Sequence, residues 1–164
     1  TMALAENLAP VPETNTQYLE LLQLVERLHR QLLDVVKDEL DRDSLDNLNS
    51  VQALLLFNIG DQELTAGELR TRGHYLGSNV SYNLKKLVDA GYIRHERSAV
   101  DRRAVKVSLT ESGNAVRAKL SALFDRQGGS LSAVGGVDDG SLPAVNTALT
   151  RIERFWADHI RFRM

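Results

Sequence analysis

Gly77-Ser78-Asn79-Val80-Ser81-Tyr82-Asn83-Leu84-Lys85-Lys86-Leu87-Val88-Asp89-Ala90-Gly91 is the stretch that decides how this chain is read. Val80, Leu84, Leu87 and Gly91 recur at i, i+4, i+7 and i+11, the spacing of one helical face. The other face carries Ser78, Asn79, Ser81, Tyr82, Lys85 and Lys86. Such a helix anchors on one side and offers hydrogen-bonding groups and cations on the other. Upstream, Thr65-Ala66-Gly67-Glu68 opens a short helix to about Arg72, and Gly73 and Gly77 bracket a turn. Downstream, residues 92–109 form two strand-like runs around Ser98-Ala99-Val100-Asp101-Arg102-Arg103. Short helix, Gly-containing turn, polar-faced helix and charged hairpin together describe a winged helix-turn-helix that binds DNA.

Working outward, Val105, Val107 and Leu109 alternate with Ala104, Lys106 and Ser108, which marks a strand with one buried face. Thr110 then caps a helix that carries Glu111 near its positive end and runs to about Arg126 on Val116, Leu120, Leu123 and Phe124. On the other side, Asn49-Ser50-Val51-Gln52 is a capping-box start, with Asn49 as N-cap and Gln52 reaching back. Val51 and Ala53 to Phe57 with Ile59 are apolar nearly all round, so this helix is expected to be buried and to stop at Gly60.

The flanks read differently. Residues 1–17, with two of the three prolines, are expected to form an extended arm. From Tyr18 to Leu40 the apolar stripe Leu21, Leu24/Val25, Leu28, Leu32, Val35/Val36 and Leu40 predicts a long amphipathic helix ending in an acidic corner at residues 37–46. Residues 127–142 hold five glycines and are read as a flexible break or a loosely helical segment. Pro143 suits the first turn of a last helix, capped by Asp139 or Ser141, whose stripe is Leu142, Val145, Leu149, Ile152, Phe155/Trp156 and Ile160. The resulting organisation is an arm (1–17), an N-terminal dimerisation helix (18–46), the DNA-binding domain (47–110) and C-terminal dimerisation helices (111–164). The fold class is mainly α with a small β-hairpin wing. Homodimerisation through the terminal helices follows because a chain of this size has little else to cover both stripes.

A length of 164 residues suits one domain with a real core. Cysteine is absent, which removes disulfides, thiolate zinc sites and cysteine nucleophiles. No apolar run is long enough to span a bilayer and no basic-then-apolar signal opens the sequence, so a cytoplasmic protein without membrane contact is expected. The net charge of −2 conceals an asymmetry: residues 1–69 carry net −9, residues 70–106 net +6 and residues 107–164 net +1. Positive charge is thus concentrated where the polar-faced helix and hairpin lie, as phosphate contacts that release counterions require.

Val100-Asp101-Arg102-Arg103-Ala104-Val105-Lys106-Val107-Ser108-Leu109-Thr110-Glu111-Ser112-Gly113 resembles the wing of the MarR family of bacterial transcription regulators, which ends in Asp-Arg-Arg, alternating valines and Leu-Thr-x-x-Gly. Leu48-Asn49-x-x-Gln52 and Leu87-Val88-Asp89-Ala90-Gly91-Tyr92-Ile93 fit the same pattern. The resemblance spans about residues 21–162. It implies a winged-helix homodimer on palindromic operator DNA, acting as a repressor whose affinity a small-molecule effector changes. It places the effector pocket between the dimer helices and the winged domain, with His29 and Phe57 as liners. Where many relatives carry an acidic residue able to brace the wing arginine, this chain has Leu84-Lys85-Lys86-Leu87. Lys85 cannot hold Arg103, which either pairs with Asp101 or stays free for DNA.

The candidate DNA contacts are Ser78, Asn79, Ser81, Tyr82, Asn83, Lys85 and Lys86 on the helix and Arg102 and Arg103 on the hairpin. Most polar helical faces are merely solvated, but the flanking turn and basic hairpin favour recognition here. Asparagine binds adenine bidentately, serine and tyrosine serve base edges or phosphates, and a basic hairpin tip suits the minor groove. Four scattered histidines without ligand spacing predict no metal site and no cofactor. No Gly-x-Ser-x-Gly, phosphate-loop or metalloprotease motif is present, which argues against catalysis and leaves no catalytic residue to name. The competing reading is a winged-helix module that binds another protein and not DNA, which the acidic first third would allow.

Overall fold

The computed structural model describes residues 12–73, 75, 77–97, 100 and 105–163. Their elements run α1 (Pro12–Arg42), α2 (Ser50–Ile59), β1 (Leu64–Thr65), α3 (Ala66–Gly73), α4 (Gly77–Asp89), β2 (Ile93–Arg97), β3 (Val105–Leu109), α5 (Glu111–Ser130) and α6 (Leu142–Phe162), with a 3-10 turn at Asp139–Ser141. They fall into two compact units, residues 1–120 and 121–164.

In the first unit, α1 begins at Pro12, a residue that tolerates the first helical turn because its missing N–H would have no partner there. Residues 12–17 are therefore helical and not an extended arm, while residues 1–11 lie outside the described residues. The far end of α1 stops in a left-handed cap. Ser44 takes φ 55°, and the Leu45 N–H donates to the Leu40 carbonyl at 3.2 Å. Only this end of α1 is buried, through Val36 and Leu40, and the Ser50 hydroxyl fastens α2 to it by donating to the Leu33 carbonyl at 2.7 Å.

The α2 capping box forms as read. Asn49 Oδ1 accepts from the Gln52 N–H at 2.8 Å, and Gln52 Oε1 accepts from the Asn49 N–H at 3.1 Å. Ala53, Leu55, Leu56 and Ile59 are buried, so α2 is the centre of this unit. Thr65 and Glu68 repeat the device at α3, with Thr65 Oγ1 accepting from the Glu68 N–H at 3.0 Å. The sheet holds a third strand beyond the hairpin: β1 pairs with β3 through Leu64–Val107 and Thr65–Lys106, giving the order β1-β3-β2. Two residues are too few to display a period-2 pattern.

Helix α4 ends in a Schellman motif. Gly91 has φ 84°, the Gly91 N–H donates to the Val88 carbonyl at 3.0 Å, and the Tyr92 N–H donates to the Leu87 carbonyl at 2.9 Å. Gly91 is thus an exposed cap beyond the helix, not part of its buried face. The chain is then pinned at Tyr92, whose carbonyl accepts from the Thr110 N–H at 3.1 Å and whose hydroxyl donates to Asn47 Oδ1 at 3.0 Å. Gly113 closes this joint: a Cβ there would sit 2.2 Å from the Tyr92 carbonyl oxygen. Lys119 pairs with Asp43, tying α5 to the corner after α1.

In the second unit, α5 continues to Ser130, past the expected end near Arg126, so Gly128 and Gly129 are helical. Of the two readings of residues 127–142, a flexible break or a loosely helical segment, the second fits their start: they form the end of α5, a turn and the 3-10 turn, which Asp138 caps by accepting from the Gly140 N–H at 3.1 Å. Ser141 occupies the N-cap position of α6 but makes no side-chain cap; its hydroxyl donates to the Asp138 carbonyl. Helix α6 buries none of its residues, and Val145, Leu149, Phe155, Ile160 and Phe162 stay exposed along it.

Candidate nucleic-acid interface

Helix α4 is held from one side. Val80, Leu84 and Leu87 are buried, as the spacing requires, and they face the core of the first unit. Ser78, Asn79, Ser81, Tyr82, Lys85 and Lys86 are all exposed. Tyr82 is 62% exposed, far more than a packing role would leave, and the Lys86 ammonium lies 5.6 Å from its ring centroid. Such a cation–π contact orders two long side chains on the open face without consuming the lysine charge.

The start of α4 adds a residue absent from the sequence-based set. A Cβ built at Gly77 would meet the Arg70 guanidinium at 3.2 Å, so Arg70 of α3 reaches the N-terminus of α4. Free N–H groups and a guanidinium there make a favourable place for a phosphate. Arg70 lies on the neighbouring helix, and only the turn geometry brings it there. Arg94, Arg97 and Lys106 also stand exposed on the wing strands and were absent from that set. The net charge of residues 70–106 was the one signal that pointed to them.

Two predicted residues behave differently from the rest. Lys85 lies on the side of α4 that faces the sheet, where Ala66, Leu84, Val88, Asp89, His95, Val105 and Val107 join it around a cleft of about 310 Å³. Asn83 is half-buried and turned toward α2. Its Oδ1 accepts from Gln52 Nε2 at 3.3 Å, and its Nδ2 donates to the Asn79 carbonyl at 2.9 Å. The structure therefore gathers Ser78, Asn79, Ser81, Tyr82, Lys85 and Lys86 on one open surface, with Lys85 also bordering the cleft beside the sheet, and sets Asn83 at its inner edge.

Arg102 and Arg103 lie outside the described residues. His29 is exposed on α1 and Phe57 half-buried on α2; neither lines the cleft beside α4 or the larger one, about 580 Å³, at the corner between α1 and α2. Among the described residues, no group of three or more His, Asp or Glu is placed to hold a metal ion, and no helix is long and apolar enough to cross a membrane.

Known proteins converge on the same picture. A family model described as the MarR family matches residues 46–104, which run from α2 into the wing. The exopolysaccharide II synthesis transcriptional activator ExpG of Rhizobium meliloti is 35% identical over 145 residues, covering 88% of this chain and 74% of that protein. MarR of Staphylococcus aureus, solved with salicylate and kanamycin, superposes with a TM-score of 0.71 at 18% identity, over 89% of this chain and 96% of that one. FabT of Streptococcus pneumoniae, solved in complex with DNA, gives 0.63 at 20% identity, over 86% and 98%. With its family model lying over the helix-turn-helix and the first wing strand, and a curated regulator related along most of its length, this chain belongs to the MarR family of transcription regulators.

Proposed function

We propose that the protein is a homodimer that inserts α4 of each copy into the major groove of a pseudo-palindromic operator. That it is a DNA-binding transcription regulator follows from its family. The proposal adds the surface and the assembly. One observation carries it: α4 is anchored by Val80, Leu84 and Leu87 and leaves Ser78, Asn79, Ser81, Tyr82 and Lys86 open together.

Within this surface, Asn79 in the first turn of α4 is assigned to a base edge, where side chains at the start of a recognition helix reach. Lys86 and Arg70 are assigned to phosphates, and Lys85 to the backbone on the wing side. Arg102 and Arg103 are assigned to the adjacent minor groove, since arginine is favoured there electrostatically. The test is footprinting on duplexes enriched from a random library, where two half-sites about 10–10.5 bp apart are expected. A single asymmetric half-site, or no enrichment over random duplex, would contradict the reading. Gel shifts at low and moderate salt separate this from a protein-interaction module, which would show no preference at either.

A small-molecule effector is the second element, supported by the salicylate complex of a structural relative. His29 and Phe57 remain its candidate liners, and His29→Ala should blunt release from DNA by an active compound while leaving DNA affinity unchanged. The expectation of a repressor and the activator name of the curated relative point in opposite directions. The same grip on DNA serves both, because the sign depends on where the operator lies relative to the promoter. A promoter fusion in a deletion strain reads it directly. A cytoplasmic location in a bacterial cell is part of the same proposal, since the protein acts on DNA.

A further inference from the structure

Gln52 is the buried polar side chain among the described residues, only 8% exposed, and it does two things at once. Its Oε1 accepts from the Asn49 N–H at 3.1 Å, completing the cap of α2. Its Nε2 donates to Asn83 Oδ1 at 3.3 Å, across to α4. The Asn49 N–H is a pure donor, so it fixes which end of the Gln52 carboxamide is oxygen. That leaves the amide nitrogen facing α4, which in turn fixes Asn83 with its oxygen toward Gln52. Asn83 Nδ2 is then directed to the Asn79 carbonyl, where it donates at 2.9 Å. One backbone N–H thus orients two carboxamides in series, from the most buried helix of the unit to the first turn of α4.

We propose that Gln52 and Asn83 form a positioning pair that sets the rotation and height of α4, and with it which base edges Asn79 and its neighbours reach. This rests on the reading of α4 as the DNA-reading helix. Asn83 is then a positioning residue: it is half-buried, and each end of its carboxamide makes a bond inside the protein. Capping alone does not account for Gln52. A capping box accepts Glu or Gln at this position equally, because it needs only an acceptor oxygen. The amide nitrogen is the part that capping leaves unexplained, and it is the part that touches α4.

Gln52→Glu separates the two roles: it keeps the capping oxygen and replaces the donor to Asn83 with a second oxygen. The full-length protein is used, with a duplex that the wild type enriches from a random library and a scrambled duplex of equal length. Gln52→Glu should lower affinity for the enriched duplex about tenfold, the scale of one lost base-pair preference. Affinity for scrambled duplex and the salt slope should stay within about twofold of wild type. Asn83→Ala should reproduce this, and the double variant should be no worse than either single one, because both break the same link. Cooperative melting checks that each variant folds, and Asn83→Ala stands on its own should Gln52→Glu fail to fold. Wild-type behaviour of Gln52→Glu on the enriched duplex would overturn the proposal, as would multiplying losses in the double variant or equal losses on both duplexes. Failure of the wild type to enrich any duplex would overturn the DNA-reading assignment itself, an outcome distinct from the others.

Discussion

Val80, Leu84 and Leu87 on α4 are covered by their own chain, whereas Val145, Leu149, Phe155 and Ile160 on α6 stay exposed. Helix α1 contains both conditions: Val36 and Leu40 at its far end are buried, while Leu24, Leu28 and Leu32 are 43%, 58% and 41% exposed. The difference separates an intrachain core from apolar surfaces that the chain leaves open. Apolar stripes of this length are uncommon on soluble monomers. A second copy is the occupant that the proposed homodimer supplies. Within the first unit the covered stripe holds one helix in place, and the open stripes are the surfaces that the proposed homodimer would use.

The sharpest way to break this comparison is to damage the covered stripe. Leu87→Ala removes a side chain that is 1% exposed and should cost about 2–5 kcal/mol in chemical denaturation. Next in size is a charge on the open stripe. Phe155→Asp sits on a residue 57% exposed in the single chain, so a monomer should tolerate it. In a dimer it would bury an unpaired carboxylate, at a cost of about 3 kcal/mol or more, which is roughly 100-fold in dimer affinity. Sedimentation at micromolar concentration should then show monomer; unchanged dimer would remove α6 from the interface.

Two glycines sharpen the contrast at smaller scale. Gly113→Ala drives a methyl to within 2.2 Å of the Tyr92 carbonyl and should destabilise by about 1–3 kcal/mol. Gly128→Ala, with nothing within 4 Å of its new Cβ inside α5, should instead stabilise by about 0.5–1 kcal/mol. Thermal melts of the two variants beside wild type check both signs.

What the sequence made legible was mostly local. Capping pairs such as Asn49 with Gln52 and Thr65 with Glu68 act over three residues, so they can be read from order alone. The α4 face could be read from the spacing of Val80, Leu84 and Leu87. Gly113 could be located by its motif, but the reason for it, a carbonyl 21 positions earlier, could not. Long-range features were out of reach for the same cause. Gln52 and Asn83 are 31 residues apart, and nothing in a single sequence says that a polar residue at the edge of a helix turns inward. Strand β1 is defined by its partner β3 and not by any pattern of its own. Pro12 falls in the stretch expected to be an extended arm because proline both opens helices and interrupts them; only its position in the first turn distinguishes the two. Gly128 and Gly129 leave a flexible break and a loosely helical segment equally open in the sequence, and it is the helix around them that carries them.

That the open face of α4 reads bases while the surrounding cations hold phosphates can be checked in one binding experiment. Asn79→Ala and Lys86→Ala are titrated on the enriched duplex and on its scrambled counterpart across a salt series. Asn79→Ala should lose about 1–3 kcal/mol on the enriched duplex alone, with its salt slope unchanged. Lys86→Ala should weaken both duplexes alike and reduce the magnitude of the slope by about one unit. Equal losses on both duplexes for Asn79→Ala would contradict the assignment of α4 as the reading helix.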